Sequence, residues 1–185
     1  METFVGAACT ALQNGKTLLY PTDTIWGIGC DATESEAVER IYKLKQRADN
    51  KALICLVADL EMLEQLTGPL DENIKAIALN TKPTTVIYPT VNGLASNLTA
   101  ANGSVGIRIV QDEFCKQLIQ NFGKPIVSTS ANISGNDSPK EYNEIDQLIL
   151  DGVDYIVALR TKEIRTNPST LISIEADGTL KTLRA

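Results

Sequence analysis

Aliphatic and β-branched runs alternate with helix-period stripes along most of this chain, and that alternation narrows its fold more than any other feature. Residues 17–20 read as a strand that stops at Pro21. Residues 34–45 place Ala37, Val38, Ile41 and Leu44 on one stripe of a helix. The run 52–58 is apolar throughout and of strand length, the pattern of a strand buried on both faces. Further strands are predicted at 84–88, 105–110, 125–129 and 155–159. Helices are predicted at 3–14 before Gly15, at 71–80 with Asp71 as N-cap, at 112–121 before Gly123, and at 142–150. Segments 170–175 and 179–183 read as a closing hairpin across Asp177-Gly178. The expectation is one α/β domain over residues 1–185 with a mixed sheet, the terminal hairpin being antiparallel.

Composition removes several kinds of chemistry. There is no histidine among the 185 residues. That excludes a Ser-His or Cys-His dyad and a histidine general base, and it disfavours a catalytic zinc site. The four cysteines, Cys9, Cys30, Cys55 and Cys115, show no paired metal spacing and read as reduced, mostly buried thiols. A net charge of −6 argues against wholesale nucleic-acid binding, because counterion release needs a basic surface; it leaves room for a local basic pocket. No apolar stretch approaches the roughly 20 residues of a membrane span, and the N-terminus lacks a cationic start followed by an apolar core. The expectation is a cytoplasmic protein without a membrane segment. Neither a Gly-x-x-x-x-Gly-Lys-[Ser/Thr] phosphate loop nor a Gly-x-Gly-x-x-Gly turn occurs.

What remains is a set of hydroxyls, cations and turns suited to a charged, phosphate-bearing ligand. The stretch Tyr20-Pro21-Thr22-Asp23-Thr24-Ile25-Trp26-Gly27-Ile28 leaves a strand, turns through threonines and an aspartate, and carries an aromatic that is prone to exposure. Lys43, Lys45, Arg47 and Lys51 follow, offset by Asp49 alone among the acids between them. With the chain extended after the helix, Lys45 and Arg47 point to one side, where an anion would relieve their repulsion. Arg47 offers a planar fork to phosphate oxygens and each charge-assisted bond contributes roughly 1.5–3 kcal/mol. A solvated helix end, with cations complementing the C-terminal dipole, is the other reading. The run Pro125 to Asn132 ends an apolar strand with Ser128, Ser130 and Asn132 on one face, a place where α/β sheets bind ligands or where turns satisfy their own backbone. A serine nucleophile is not expected, since there is no Gly-x-Ser-x-Gly elbow. Arg108 interrupts a strand whose other face carries Val105, Ile107 and Ile109; it either faces solvent or faces a cleft and pairs with a carboxylate.

Taken in order, these pieces resemble the YrdC-like family of threonylcarbamoyl-AMP synthases. The matching motifs are Tyr-Pro-Thr-Asp-Thr-Ile-Trp-Gly at 20–27, Lys-x-Arg-x-x-x-Lys at 45–51, Ser-Val-Gly-Ile-Arg at 104–108, Ser-Thr-Ser-Ala-Asn-x-Ser-Gly at 128–135 and Pro-Ser-Thr at 168–170. The resemblance spans roughly 10–184 and is to the short members, without an additional C-terminal domain. It implies an open, twisted sheet with flanking helices and a concave cleft. It implies a nucleotidyltransferase that joins L-threonine, bicarbonate and ATP into threonylcarbamoyl-AMP and pyrophosphate. Other proteins then transfer the threonylcarbamoyl group to tRNA, and weak binding of tRNA or double-stranded RNA by the chain itself belongs to the same expectation.

Mg²⁺ is implied with ATP, held by substrate oxygens and water rather than by a protein metal site. By motif position, Thr24, Arg108, Ser128 and Ser169 would hold threonine, with Arg108 on its carboxylate. Lys45, Arg47, Lys51, Ser104, Ser130, Asn132, Ser138 and Arg184 would hold ATP. Lys45 and Arg47 would act electrostatically, with no covalent or acid–base residue. The chain departs from the family pattern at Lys51 and Ala52, where many members carry asparagine or proline. It departs again at Leu56, where many have histidine, and at Trp26, where tyrosine or phenylalanine is commoner.

The main rival is an RNA-binding module that uses the same cleft without catalysis. A third reading is a carbamoyltransferase unit like those in hydrogenase maturation, which sit within much larger chains. The cation cluster generates a first test: Arg47→Ala is expected to leave the fold intact and abolish threonine-dependent pyrophosphate release, whereas near wild-type turnover would remove the phosphate-clamp role.

Overall fold

The alternation read from the sequence becomes a single mixed sheet with helices on both sides. The computed structural model describes residues 1–46, 53–175 and 177–185. In chain order the elements are α1 (Glu2–Gln13), β1 (Leu18–Tyr20), β2 (Gly27–Gly29), α2 (Ser35–Leu44), β3 (Ile54–Val57), α3 (Leu60–Thr67), α4 (Glu72–Ala78) and β4 (Thr84–Tyr88). Then follow β5 (Val105–Ile109), α5 (Glu113–Phe122), β6 (Ile126–Ser130), α6 (Gln147–Gly152), β7 (Tyr155–Ile156), β8 (Thr170–Ile174) and β9 (Leu180–Arg184). Among the described residues the sheet has 9 strands in the order β7-β1-β2-β6-β3-β5-β4-β8-β9. β7 on β1, β5 on β3 and β8 on β4 are parallel pairs, and the remaining neighbours are antiparallel.

The two faces of the sheet are covered unequally. Leu19, Ile28, Cys55, Val57, Val86, Ile107, Ile109 and Val127 point to one side and are sealed by α2, α3, α4 and α6 through residues such as Val38, Ile41, Leu63, Ala78 and Ile149. On the other side Leu18, Tyr20, Leu56 and Ile126 meet α1 and α5 through Val5, Ala8, Leu12, Phe114 and Leu118. Residues paired across a ladder share a face, so Ile54, Gly106 and Ser128 continue that second face beyond the two helices. Among the described residues no helix contributes to the lining there, and the cleft opens.

Several predicted elements change in the structure, each for a physical reason. β2 was not predicted because two of its three residues are glycine. A Cβ at Gly29 would stand 2.4 Å from the Val127 carbonyl oxygen and 2.7 Å from the Tyr20 ring, so a side chain is excluded there. α3 was also unread, although Asp59 caps it by accepting from the Met62 amide at 2.9 Å. The predicted helix at 142–150 splits into a 3-10 turn (Tyr142–Glu144) and α6, because Asp146 turns its carboxylate to cap the Leu148 amide at 2.9 Å. The strand expected at 155–159 ends at Ile156, and the Leu159 amide folds back onto the Val157 carbonyl.

The parallel pair of β1 and β7 is pinned just ahead of both strands. Asp154 accepts from the Thr17 amide (2.7 Å), the Thr17 hydroxyl (2.8 Å) and Arg40 Nη2 of α2 (2.6 Å). Burial alone would raise its pKa, but the Thr17 and Arg40 donors outweigh burial and hold the carboxyl below its usual range. A folded-state pKa below the unfolded one stabilises the fold above roughly pH 4, and that contribution is lost as pH falls through the folded value. Asp154→Asn is expected to cost about 1–2 kcal/mol at neutral pH and to flatten the acid limb of the melting temperature against pH. An unchanged melting temperature at neutral pH would remove this role.

Candidate active site

The first wall of the cleft is the turn between β1 and β2. It is wound around one hydroxyl. Thr22 Oγ1 accepts from the Thr24 amide (3.0 Å) and the Ile25 amide (3.3 Å) and donates to the Ile25 carbonyl (2.7 Å). The Thr24 hydroxyl stands 2.9 Å away and shares a hydrogen bond with it, in which either oxygen can be the donor. Trp26 corrects the expectation of an exposed aromatic: it is 1% exposed, with its ring 5.3 Å from that of Tyr142 and tilted against it. The larger ring fills the gap beside the 3-10 turn, while one edge still reaches the cleft.

Arg108 leaves β5 on the face opposite Val105, Ile107 and Ile109, as strand alternation requires, and it is 2% exposed. The solvent-facing alternative is thereby overturned. Its Nη1 donates to Thr24 Oγ1 at 3.3 Å. Its Nη2 lies 3.0 Å from Asp23 Oδ1, a contact of opposite charges without hydrogen-bond alignment, for both Asp23 Oδ1 and Arg108 Nε are buried without a hydrogen-bond partner. The guanidinium therefore stands at the cleft with donor capacity in reserve.

The opposite wall is made of hydroxyls. Ser128 and Ser130 come from β6; Ser169 precedes β8 and shares a 2.8 Å hydrogen bond with Thr85 Oγ1. Arg184, the last residue of β9, donates to the Ser169 carbonyl from Nη2 (2.8 Å) and Nε (3.0 Å), which carries the C-terminal hairpin to the cleft rim. The floor is kept low by glycine. A Cβ at Gly106 would meet Thr85 Cγ2 at 3.0 Å and Ile54 Cγ2 at 3.3 Å, and one at Gly27 would meet Ser128 Oγ at 3.2 Å. The result is a cleft of about 250 Å³.

Thr24, Arg108, Ser128, Ser130, Ser138, Ser169 and Arg184, scattered in sequence, all line it. Thr22, Ile54 and Pro168 line it too and were not singled out from the sequence; for Thr22 the threonine-aspartate-threonine spelling was the available signal. Leu56 lies fully buried beneath α1 and α5, away from the opening.

Other expected residues stand elsewhere. Lys45 is not among the residues that line the cleft: it is 1% exposed, and its ammonium donates to the carbonyls of Ser130 and Asn132 (2.6 Å to the latter) and to Asn132 Oδ1 (3.2 Å). Lys45 keeps helical backbone angles as the C-cap of α2, which carries its side chain under the turn that follows β6, and Gln46 departs from an extended course with a positive φ of 50°. Asn132 is engaged in the same knot, accepting from Ser130 Oγ (2.5 Å) and donating to the Asn136 carbonyl (2.6 Å). Ser104 donates to Asn102 Oδ1 at 2.7 Å and is not part of the cleft lining. Arg47 and Lys51 lie outside the described residues.

The described residues lining the cleft include two guanidinium groups and many hydroxyls, but no carboxylate and no thiol. The four cysteines are free and buried, and burial pushes the thiols of Cys30, Cys55 and Cys115 upward, which makes them poor nucleophiles. Such a lining can hold and orient anions.

The family model named Sua5/YciO/YrdC, described as "Telomere recombination", matches residues 10–185. The chain is 32% identical over 161 residues to the threonylcarbamoyl-AMP synthase of Pseudoalteromonas translucida, across 84% of this chain and 86% of that protein. Its fold matches P. abyssi Sua5 complexed with L-threonine with a TM-score of 0.85 at 26% identity, over 100% of this chain and 54% of that one. The chain thus spans about half the length of that solved protein, which covers 54%. It also matches E. coli YciO with a TM-score of 0.82 over 100% of this chain and 89% of that one; at 22% identity this likeness speaks for the fold alone.

The lysine knot yields its own test. Lys45→Met keeps most of the stem but removes the donor, so it is expected to destabilise the protein by about 1–3 kcal/mol and to speed amide exchange around residues 130–134. A lysine that only faced the cleft would leave both measurements unchanged.

Proposed function

The chain belongs to the Sua5/YciO/YrdC family, and from that premise we propose that it is an L-threonylcarbamoyladenylate synthase. It would convert L-threonine, bicarbonate and ATP into threonylcarbamoyl-AMP and pyrophosphate, for threonylcarbamoyladenosine modification of tRNA. The observation that carries this reading is Arg108: a buried guanidinium with unused donor capacity, set in a hydroxyl-lined cleft whose described lining residues include no carboxylate and no thiol. A cleft of that kind suits a reaction whose nucleophile and leaving group both come from the substrates.

The chemistry divides into two steps. The threonine amine attacks bicarbonate carbon, water leaves, and a carbamate results. A carbamate oxygen then attacks the α-phosphorus of ATP, and the bond to the pyrophosphate oxygen breaks. The protein's part is to align these anions and offset their repulsion. Alignment alone can lower such a barrier by roughly 7–11 kcal/mol, and fixed cations stabilise the charge that develops. We assign the threonine carboxylate to Arg108 and the rest of threonine to Thr24, Ser128 and Ser169. ATP is assigned to Ser130, Ser138 and Arg184 in the cleft, with Arg47 and Lys51 as triphosphate cations. Lys45 and Asn132 serve by holding the Ser130 turn in place.

Mg²⁺ enters the proposal only as the counter-ion of ATP. Among the described residues no group of three His, Cys, Asp or Glu side chains could hold a metal, so no step is routed through it. The product would pass to separate threonylcarbamoyl-transfer proteins in the cytoplasm. No helix of the described residues is long and apolar enough to cross a membrane.

The deciding measurement is incubation of the purified protein with ATP, Mg²⁺, bicarbonate and labelled threonine. A labelled adenylate is expected, together with stoichiometric pyrophosphate, and omission of bicarbonate is expected to abolish both. No adenylate, combined with tight RNA binding that falls steeply with salt, would replace this reading with the RNA-binding module.

A further inference from the structure

We propose that Asp23 is a positioning residue for Arg108: its carboxylate orients the guanidinium so that the unused donors meet the carboxylate of the amino-acid substrate. The inference rests on the assignment of threonine to this cleft and extends it to a residue that does not line it. Asp23 is absent from the cleft surface, its side chain is 10% exposed, and it is the carboxylate in ion-pair contact with Arg108 among the described residues. It therefore acts through the arginine and not on the substrate.

Three features favour positioning over simple charge neutralisation. First, Asp23 is itself held from two sides. It sits inside the turn wound around Thr22 Oγ1, and its Oδ2 accepts from the Gln111 amide (3.4 Å), just past the end of β5. The carboxylate thus ties the first wall of the cleft to the strand that carries Arg108.

Second, the pair is one-sided. A carboxylate set to neutralise a buried arginine ordinarily takes two parallel hydrogen bonds from the fork. Here one oxygen stands 3.0 Å from Nη2 without alignment, the other is turned to the backbone, and Nε has no partner. The arginine is placed but not saturated. Third, Thr24 takes Nη1 at 3.3 Å, so neighbouring residues of one turn fix the two outer nitrogens. With both outer nitrogens held, the guanidinium plane is set before any ligand arrives. A bidentate carboxylate needs that plane, and preorganising it removes an ordering cost from binding.

The test measures selectivity for the carboxylate. L-Threoninamide keeps the amine and the hydroxyl of threonine but lacks the negative charge. In the wild type, turnover with threonine is expected to exceed that with the amide. In Asp23→Asn, which keeps the size, kcat/KM for threonine is expected to fall at least about tenfold, mainly through KM. The KM for ATP should stay within about twofold, and the threonine-to-amide ratio should shrink by the same factor as kcat/KM for threonine.

Asp23→Glu, which retains the charge, is expected to recover part of that ratio, and thermal melting checks that each variant folds. If Asp23→Asn unfolds, the ratio measured in Asp23→Glu decides: a carboxylate displaced by one methylene is expected to lower it below the wild type, and a ratio equal to that of the wild type would overturn the positioning role. An unchanged ratio in folded Asp23→Asn, or equal losses with threonine and the amide, would overturn the positioning role while leaving the function standing. A wild type without threonine-dependent turnover would overturn both.

Discussion

Two helices rest on a sheet face that is longer than they can cover. α1 and α5 bury Leu18, Tyr20, Leu56 and Ile126, and the face then continues uncovered through Ile54, Gly106 and Ser128. Everything functional in this molecule depends on that shortfall. The opposite face is sealed by four helices and supplies the stability that lets the open portion stay open. The open portion carries glycine and several hydroxylated residues, so its backbone lies close to whatever enters. Arg108 rises from β5 within it, and Arg184 stands at the rim.

Burying that side chain sets the electrostatic terms of the site. An arginine 2% exposed needs a negative partner, and the structure supplies one from the turn between β1 and β2. A second buried cation, Lys45, is compensated differently, by carbonyl oxygens and an amide oxygen. The contrast separates their duties. The lysine donates to two carbonyls and a side-chain oxygen of one turn and shapes it. The arginine retains donors that no protein group takes.

Much of the architecture was legible because it follows from local periodicity. The apolar run at 52–58 became β3, buried on both faces at its centre, and the Asp177-Gly178 hairpin closed the sheet between β8 and β9. The side on which Arg108 projects was legible for the same reason. Its burial was not, because the residue that stabilises it belongs to a turn distant in sequence. Trp26 looked exposed because its packing partner Tyr142 is likewise remote. β2 was hidden by its glycines, of which Gly29 is demanded by Tyr20 and Val127 rather than by strand preference. The partners of Lys45 were not legible, because the Ser130 and Asn132 carbonyls that take its ammonium lie 85 and 87 residues along the chain. The hydroxyls were legible as a set: Ser128, Ser130, Ser138 and Ser169 stand around one opening, while Ser104 and Asn132 have their polar groups engaged beside it.

The guanidinium of Arg108 can only donate, so one lone pair of Thr24 Oγ1 is taken up while the arginine is charged. The Thr24 and Thr22 hydroxyls stand 2.9 Å apart, and either can be the donor of their shared bond. A hydroxyl has one proton and two lone pairs, so Thr24 meets the cleft with whichever that bond leaves over: a proton when Thr22 donates, a lone pair when Thr24 does. The charge thus fixes one of the threonine's contacts and leaves the other adaptable, able to meet a carbonyl oxygen or an N–H.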